Sequence, residues 1–114
     1  MQVSSDRGRF AERVLQGVDD AGREERIEIW IERKPGAVWA VGRIVNPHLR
    51  NGKATKSSDY VFEGYELDDA LEQANSLLDS DLKVSQQDGR GEVVAPFERD
   101  EVLRPLERWF FGRQ

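Results

Sequence analysis

Arg26-Ile27-Glu28-Ile29-Trp30-Ile31-Glu32, then Lys34-Pro35-Gly36-Ala37, then Val38-Trp39-Ala40-Val41-Gly42-Arg43-Ile44-Val45: this stretch decides the fold. Its first segment alternates with the two-residue period of a half-buried strand. Pro35 and Gly36 stand at the two central places of a type II turn. An apolar run then returns, so the stretch predicts a β-hairpin. The simplest register pairs Lys34 with Ala37, which sets Ile31 against Ala40, Ile29 against Gly42 and Ile27 against Ile44 as a core face. The other face then opposes Glu32 to Trp39, Trp30 to Val41 and Glu28 to Arg43, the last an attractive cross-strand pair. Type II is not the preferred two-residue hairpin turn, and a bulge would shift this count.

Outward from the hairpin, Phe10 to Val18 alternates as an earlier strand, and Asp19-Asp20-Ala21-Gly22 is turn chemistry. Ser58 to Tyr65 alternates as a fourth strand. Leu67, Ala70, Leu71, Ala74, Leu77, Leu78 and Leu82 fall at three-and-four spacing, which predicts a helix over 67–83. Asp68 and Asp69 sit in its first turn, where the helix dipole favours carboxylates. Val93-Val94-Ala95 is an apolar link. From Pro96 a second helical region carries Val102, Leu103, Leu106, Trp109 and Phe110, with Pro105 kinking or restarting it. The expected fold is α+β: a four-stranded antiparallel β-meander, one long helix packed on one face, and a C-terminal helix. The opposite face is expected to meet solvent or to be partly covered by the C-terminal segment. The chain, 1–114, is read as a single domain with a tail at 1–8.

Charge is sorted along the chain. Between Arg33 and Ser58 no acid occurs, while Arg33, Lys34, Arg43, Arg50, Lys53 and Lys56 do, with His48. From Asp59 to Leu82 the order reverses: Asp59, Glu63, Glu66, Asp68, Asp69, Glu72, Asp79 and Asp81, with no Lys or Arg. Such blocks suggest one face that meets an anion and another that repels it. The net charge of −5 argues against nucleic-acid binding by the whole surface.

The basic loop is the leading candidate site. Trp39, Arg43, His48, Arg50, Lys53 and Lys56 offer cations and a stacking ring of the kind phosphates and bases are bound by. The bland alternative is a solvated loop. Trp30 and Trp39, placed on one sheet face by the simple register, form a second candidate, a surface for a protein partner or a second copy of the chain. The C-terminal Trp109, Phe110 and Phe111 extend it as a latch, or else cover the two indoles as a small core. The acidic helix is a solvated or docking face. Asp79-Ser80-Asp81 lacks the glycine and the closing glutamate of an EF-hand, so no metal is expected. With no cysteine and one histidine, thiolate and multi-His sites are excluded, and no phosphate-loop, zinc-protease or dinucleotide motif occurs. The expectation is a cytoplasmic binding module without cofactor or catalysis. No leader or membrane span is visible.

From Ile27 to about Lys83, about half of the chain, the plan resembles a WGR domain, a module found beside catalytic or helicase domains in some DNA-repair proteins. The resemblance is carried by Trp39, Gly42-Arg43-Ile44, the following loop, Tyr60-Val61-Phe62 and Leu67-Asp68-Asp69-Ala70-Leu71. The family's Trp, Gly and Arg are contiguous, whereas Ala40 and Val41 intervene here. No Trp or Tyr lies between Asp81 and Asp88, where the family has an aromatic close. The resemblance implies nucleic-acid contact through Trp39 and Arg43.

Overall fold

The computed structural model describes residues 9–18, 21–50, 56–87 and 94–104. Strands β1 (Arg9–Val18), β2 (Glu24–Lys34), β3 (Val38–Val45) and β4 (Tyr60–Gly64) precede the helix α1 (Leu67–Gln87). Short 3-10 turns, Pro47–Leu49 and Ser57–Asp59, lie between β3 and β4. The strands form one antiparallel sheet in the order β1-β2-β3-β4, and α1 packs on one of its faces. The expected α+β meander is what the chain adopts. Residues 94–98 carry no regular structure, and the C-terminal helix occupies 99–104 of the described residues.

The hairpin register is one residue away from the simplest reading. Lys34 pairs with Val38, Ile31 with Val41, Trp30 with Gly42, Ile29 with Arg43 and Glu28 with Ile44. The cause is the turn. Gly36 has the positive φ, 86°, that the type II position demands, but Ala37 follows at φ 61° and joins the loop instead of the strand. Because side chains alternate, a slip of one residue exchanges the two faces of β3. Trp39 and Arg43 therefore move to the helix side, away from Trp30. The expected Glu28–Arg43 pair and the shared Trp30/Trp39 face are both corrected by this.

The new assignment packs better. On the helix side, Ile29, Ile31, Trp39 and Val41 meet Leu67, Ala70, Ala74 and Leu78 of α1, with Ala11 and Leu15 from β1. Phe10 meets Trp39 edge-on, ring centroids 5.9 Å apart. On the other side the small residues Ala40 and Gly42 leave room for Trp30, which is fully buried although no described helix covers that face. A Cβ on Gly42 would lie 2.1 Å from Trp30 Cζ2. The indole occupies the place of a side chain.

Of the C-terminal segment, residues 94–104 pack beside α1, on the same face. Phe97 and Val102 join the main core. Asn75 of α1 holds the Phe97 backbone as a strand would: its Nδ2 donates to the Phe97 carbonyl at 3.0 Å, and its Oδ1 accepts the Phe97 N–H at 2.7 Å. From β1, the Arg13 guanidinium donates to the carbonyls of Ala95 (2.8 Å) and Pro96 (2.9 Å) and makes paired bonds to Glu101 at 2.6 and 2.7 Å. These bonds to Arg13 hold the Glu101 carboxyl below its ordinary range.

Two substitutions test the register. Gly42→Ala drives a methyl into Trp30 and is expected to destabilise by about 3 kcal/mol in urea unfolding. Ala37→Gly relieves a left-handed alanine and is expected to stabilise by about 0.5–1 kcal/mol, because the strain removed outweighs the added chain entropy. A neutral effect of Gly42→Ala would contradict the Trp30–Gly42 packing.

Candidate functional site

The loop from β3 to β4 is anchored where it begins. Asn46 takes a left-handed conformation, φ 53°, which its short amide side chain tolerates. Its Oδ1 accepts the Arg26 N–H at 2.8 Å, and its own N–H reaches the Arg26 carbonyl at 2.5 Å, extending the ladder past the end of β3. Pro47 then opens a 3-10 turn, closed by Leu49 and Arg50 N–H bonds to the carbonyls of Asn46 and Pro47, each 3.0 Å.

The far end of the loop is anchored by a carboxylate. Asp59 is buried, 5% exposed. Arg50 meets it with two bonds, 2.7 and 2.5 Å, and the Lys56 N–H adds a third at 2.6 Å. A buried carboxylate needs such partners. The Arg50 bonds hold the Asp59 carboxyl below its ordinary range, against the opposing effect of burial, and raise Arg50 in turn.

Arg43 leaves the sheet on the helix side and binds Asp81 of α1 in the same forked way, at 2.9 and 2.7 Å. Lys34 bonds Glu63 at 2.7 Å and lies 3.6 Å from the centre of the Tyr60 ring. Arg33 stacks on Trp39 at 4.5 Å. Three cations of the basic block thus bind three carboxylates of the acidic block: Lys34 with Glu63, Arg43 with Asp81, Arg50 with Asp59. The charge sorting seen along the chain is in large part the record of contacts within it.

The expected site residues are dispersed. Trp39 is in the core and Arg43 lies against α1, while His48 and Lys56 are exposed at the two ends of the anchored loop. Arg50 is bound to Asp59. Trp30 is buried on the opposite face. Lys53, Trp109, Phe110 and Phe111 lie outside the described residues. Leu49, which the sequence reading passed over, stands 70% exposed beside His48. Among the described residues no three carboxylates or histidines are placed to hold a metal, and no helix is long and apolar enough to cross a membrane.

The face opposite α1 carries a cluster that sequence reading missed. Arg9 lies over Trp30, its guanidinium carbon 3.8 Å from the ring centre. It bonds Glu12 and, at 3.1 Å, Glu28. Arg26 also bonds Glu28, at 2.9 Å. Glu32 accepts the Trp30 Nε1–H at 2.8 Å and the Tyr60 hydroxyl at 2.9 Å. Glu12, Glu28 and Glu32 share a parity along their strands that hinted at one face. Nothing in the pattern placed Arg9 among them, since Phe10 interrupts the register between Arg9 and Ala11.

No protein-family model, no curated protein and no solved structure matches this chain. The likeness to WGR domains therefore rests on its sequence features alone.

Burial, followed by the hydrogen bond to the Glu32 carboxylate, pushes the Tyr60 hydroxyl up to about 12. A phenol raised in the folded state stabilises it fully below its unfolded value, about 10, and that contribution is lost as pH rises through about 12. The urea midpoint of the protein is therefore expected to fall between pH 10 and 12. In Tyr60→Phe it should start lower at neutral pH and fall less over that window. An equally steep fall in the variant would remove Tyr60 as its cause.

Proposed function

We propose that this domain is a non-enzymatic binding module of the cytoplasm, and that the loop between β3 and β4 is the element it offers to a partner protein. One observation carries the reading. The loop is fixed at both ends, by Asn46 on Arg26 and by Asp59 on Arg50 and Lys56, while it displays Leu49 at 70% exposure. A leucine gains nothing from water, and a braced loop holds it in place at little entropic cost to a partner. Such presentation suits an apolar anchor entering a pocket on another protein.

Contact with nucleic-acid phosphates is a second reading, supported by the exposed His48 and Lys56 on the same loop. Arg43 and Arg50 would have to leave forked bonds with carboxylates to join in, which weighs against their use. Among the described residues Lys56 then remains as the exposed cation, and Lys53 lies outside them. The WGR likeness points to Trp39 and Arg43, and it lends the second reading no support from the loop itself.

A photo-crosslinking amino acid at position 49, in the cells that make the protein, tests the first reading. A discrete protein adduct is expected there and not at Gln73 on the outer face of α1. An adduct of doubled mass would identify a second copy of the chain as the partner, and absence of any adduct at 49 would overturn the loop as contact element. In parallel, anisotropy titration of labelled single-stranded DNA, duplex DNA and RNA is expected to show no binding at physiological salt. If phosphate contact by the two lysines is the true role, binding will appear with a log–log salt slope near −2 and vanish in Lys53→Glu/Lys56→Glu.

A further inference from the structure

The two edges of the sheet are treated differently. At β1, Arg13 donates to the Glu12 carbonyl of its own strand at 2.9 Å and ties residues 95–96 alongside through their carbonyls. β4 pairs only with β3 among the described residues. An edge strand presents a row of N–H and C=O groups that point away from its sheet, and lysine or proline commonly blunts such a row. Tyr60-Val61-Phe62-Glu63-Gly64-Tyr65 contains neither. Its side chains leave the row approachable. The Phe62 ring lies along the strand over Gly64, where a Cβ would stand 2.9 Å from Phe62 Cζ. Val61 is 49% exposed and Tyr65 74%. Between them the Glu63 side chain is 51% exposed, with Lys34 bonded to its Oε2.

We infer that the β4 edge takes up an extended segment of a partner protein as a fifth strand, with a lysine or arginine of that segment opposite Glu63 and apolar residues to either side of it. Main-chain bonds of this kind hold an added strand in place, and its alternate side chains give the selection. β4 is only five residues long, so backbone bonds are few and the side chains carry most of the choice. Apolar Val61 and Tyr65 bracket the acid, which sets the pattern sought: apolar, any residue, basic, any residue, apolar.

Charge names the partner. From Asp59 to Leu82 the chain has no Lys or Arg. Glu66 and Asp69, which follow β4, are exposed and meet no cation among the described residues. A basic segment is drawn to such an edge. A second copy of the chain would set the same acidic stretch against itself, which like charge disfavours. The ladder between β3 and β4 shifts between Val41 and Gly42, at the Tyr60 end of β4. Phe62, Glu63 and Gly64 pair regularly with Val41, Ala40 and Trp39, so the straight part of the edge is centred on Glu63.

The test selects peptides of about seven residues, the length of a short strand, from a random displayed library, with the full chain immobilised. Enriched peptides are expected to carry Lys or Arg at the centre and an apolar residue two places to either side. The most enriched peptide is then synthesised and its effect on amide hydrogen exchange is followed by NMR. Strand addition protects every second amide of 61–65, because successive N–H groups of a strand point to opposite sides. A contact through side chains alone gives no such alternation. Glu63→Gln should weaken the peptide about two- to fivefold, and Glu63→Lys should weaken it further and turn the enriched central residue acidic. Failure to enrich alternating peptides, protection outside 61–65, or unchanged affinity in both Glu63 variants would overturn the proposal. Protection of the same amides that grows with protein concentration and needs no peptide would make a second copy the occupant, and would overturn it too. Leu49→Ala is expected to leave the peptide affinity unchanged, which separates this edge from the loop. Loss of peptide binding in that variant would move the contact to the loop and overturn the edge.

Discussion

Trp30 against Gly42 is the contact on which the rest of the architecture depends. The indole fills the space where residue 42 would otherwise carry a side chain, and that is possible only if Gly42 lies opposite Trp30. This pairing in turn requires a three-residue turn, with Ala37 in a left-handed conformation. With the turn so set, Trp39 and Val41 face α1 and close the main core, and Ala40 and Ile44 lie with Trp30. The strain at Ala37 is small beside the burial of a whole indole, which is why the chain tolerates it.

The same register decides the electrostatics. Arg43 is carried to the helix side, where Asp81 of α1 meets it in a forked bond. Glu28, relieved of the partner it was expected to have, turns to Arg9 and Arg26. A single step along β3 thus takes Arg43 out of the apparent anion-binding block and into an internal ion pair, and it leaves carboxylates on the face opposite α1 to gather around Trp30. Partly buried forked pairs of this kind fix geometry more than they add stability, because desolvation offsets much of their attraction.

Much of the fold was legible in the sequence. The alternation of Ile27, Ile29 and Ile31 and the leucine stripe of α1 report two different periods, and each element formed where its period placed it. The face assignment of β3 was not legible from alternation alone, since both of its parities contain apolar residues. A volume argument would have found it: Trp39 and Val41 are large where α1 needs filling, and Ala40 and Gly42 are small where Trp30 needs room. The candidate site was less legible. Charge order along a chain cannot separate cations that face solvent from cations bonded to carboxylates far away in sequence, and Arg50–Asp59 and Arg43–Asp81 are of the second kind. Asn75, which holds the C-terminal segment, carries no signal in the sequence, because a helical Asn with an ordinary solvent role has the same spacing.

The anchored loop and the face opposite α1 are joined by one peptide bond. Asp59 closes the loop through Arg50 and Lys56, and Tyr60, the next residue, is the wall beside Trp30. The Tyr60 ring meets Trp30 edge-on and its hydroxyl bonds Glu32, so the residue that closes the loop and the residue that packs on the indole are adjacent in the chain. Neither can shift without pulling on the other, which couples the position of the loop's far anchor to the same Trp30 packing that sets the register of β3.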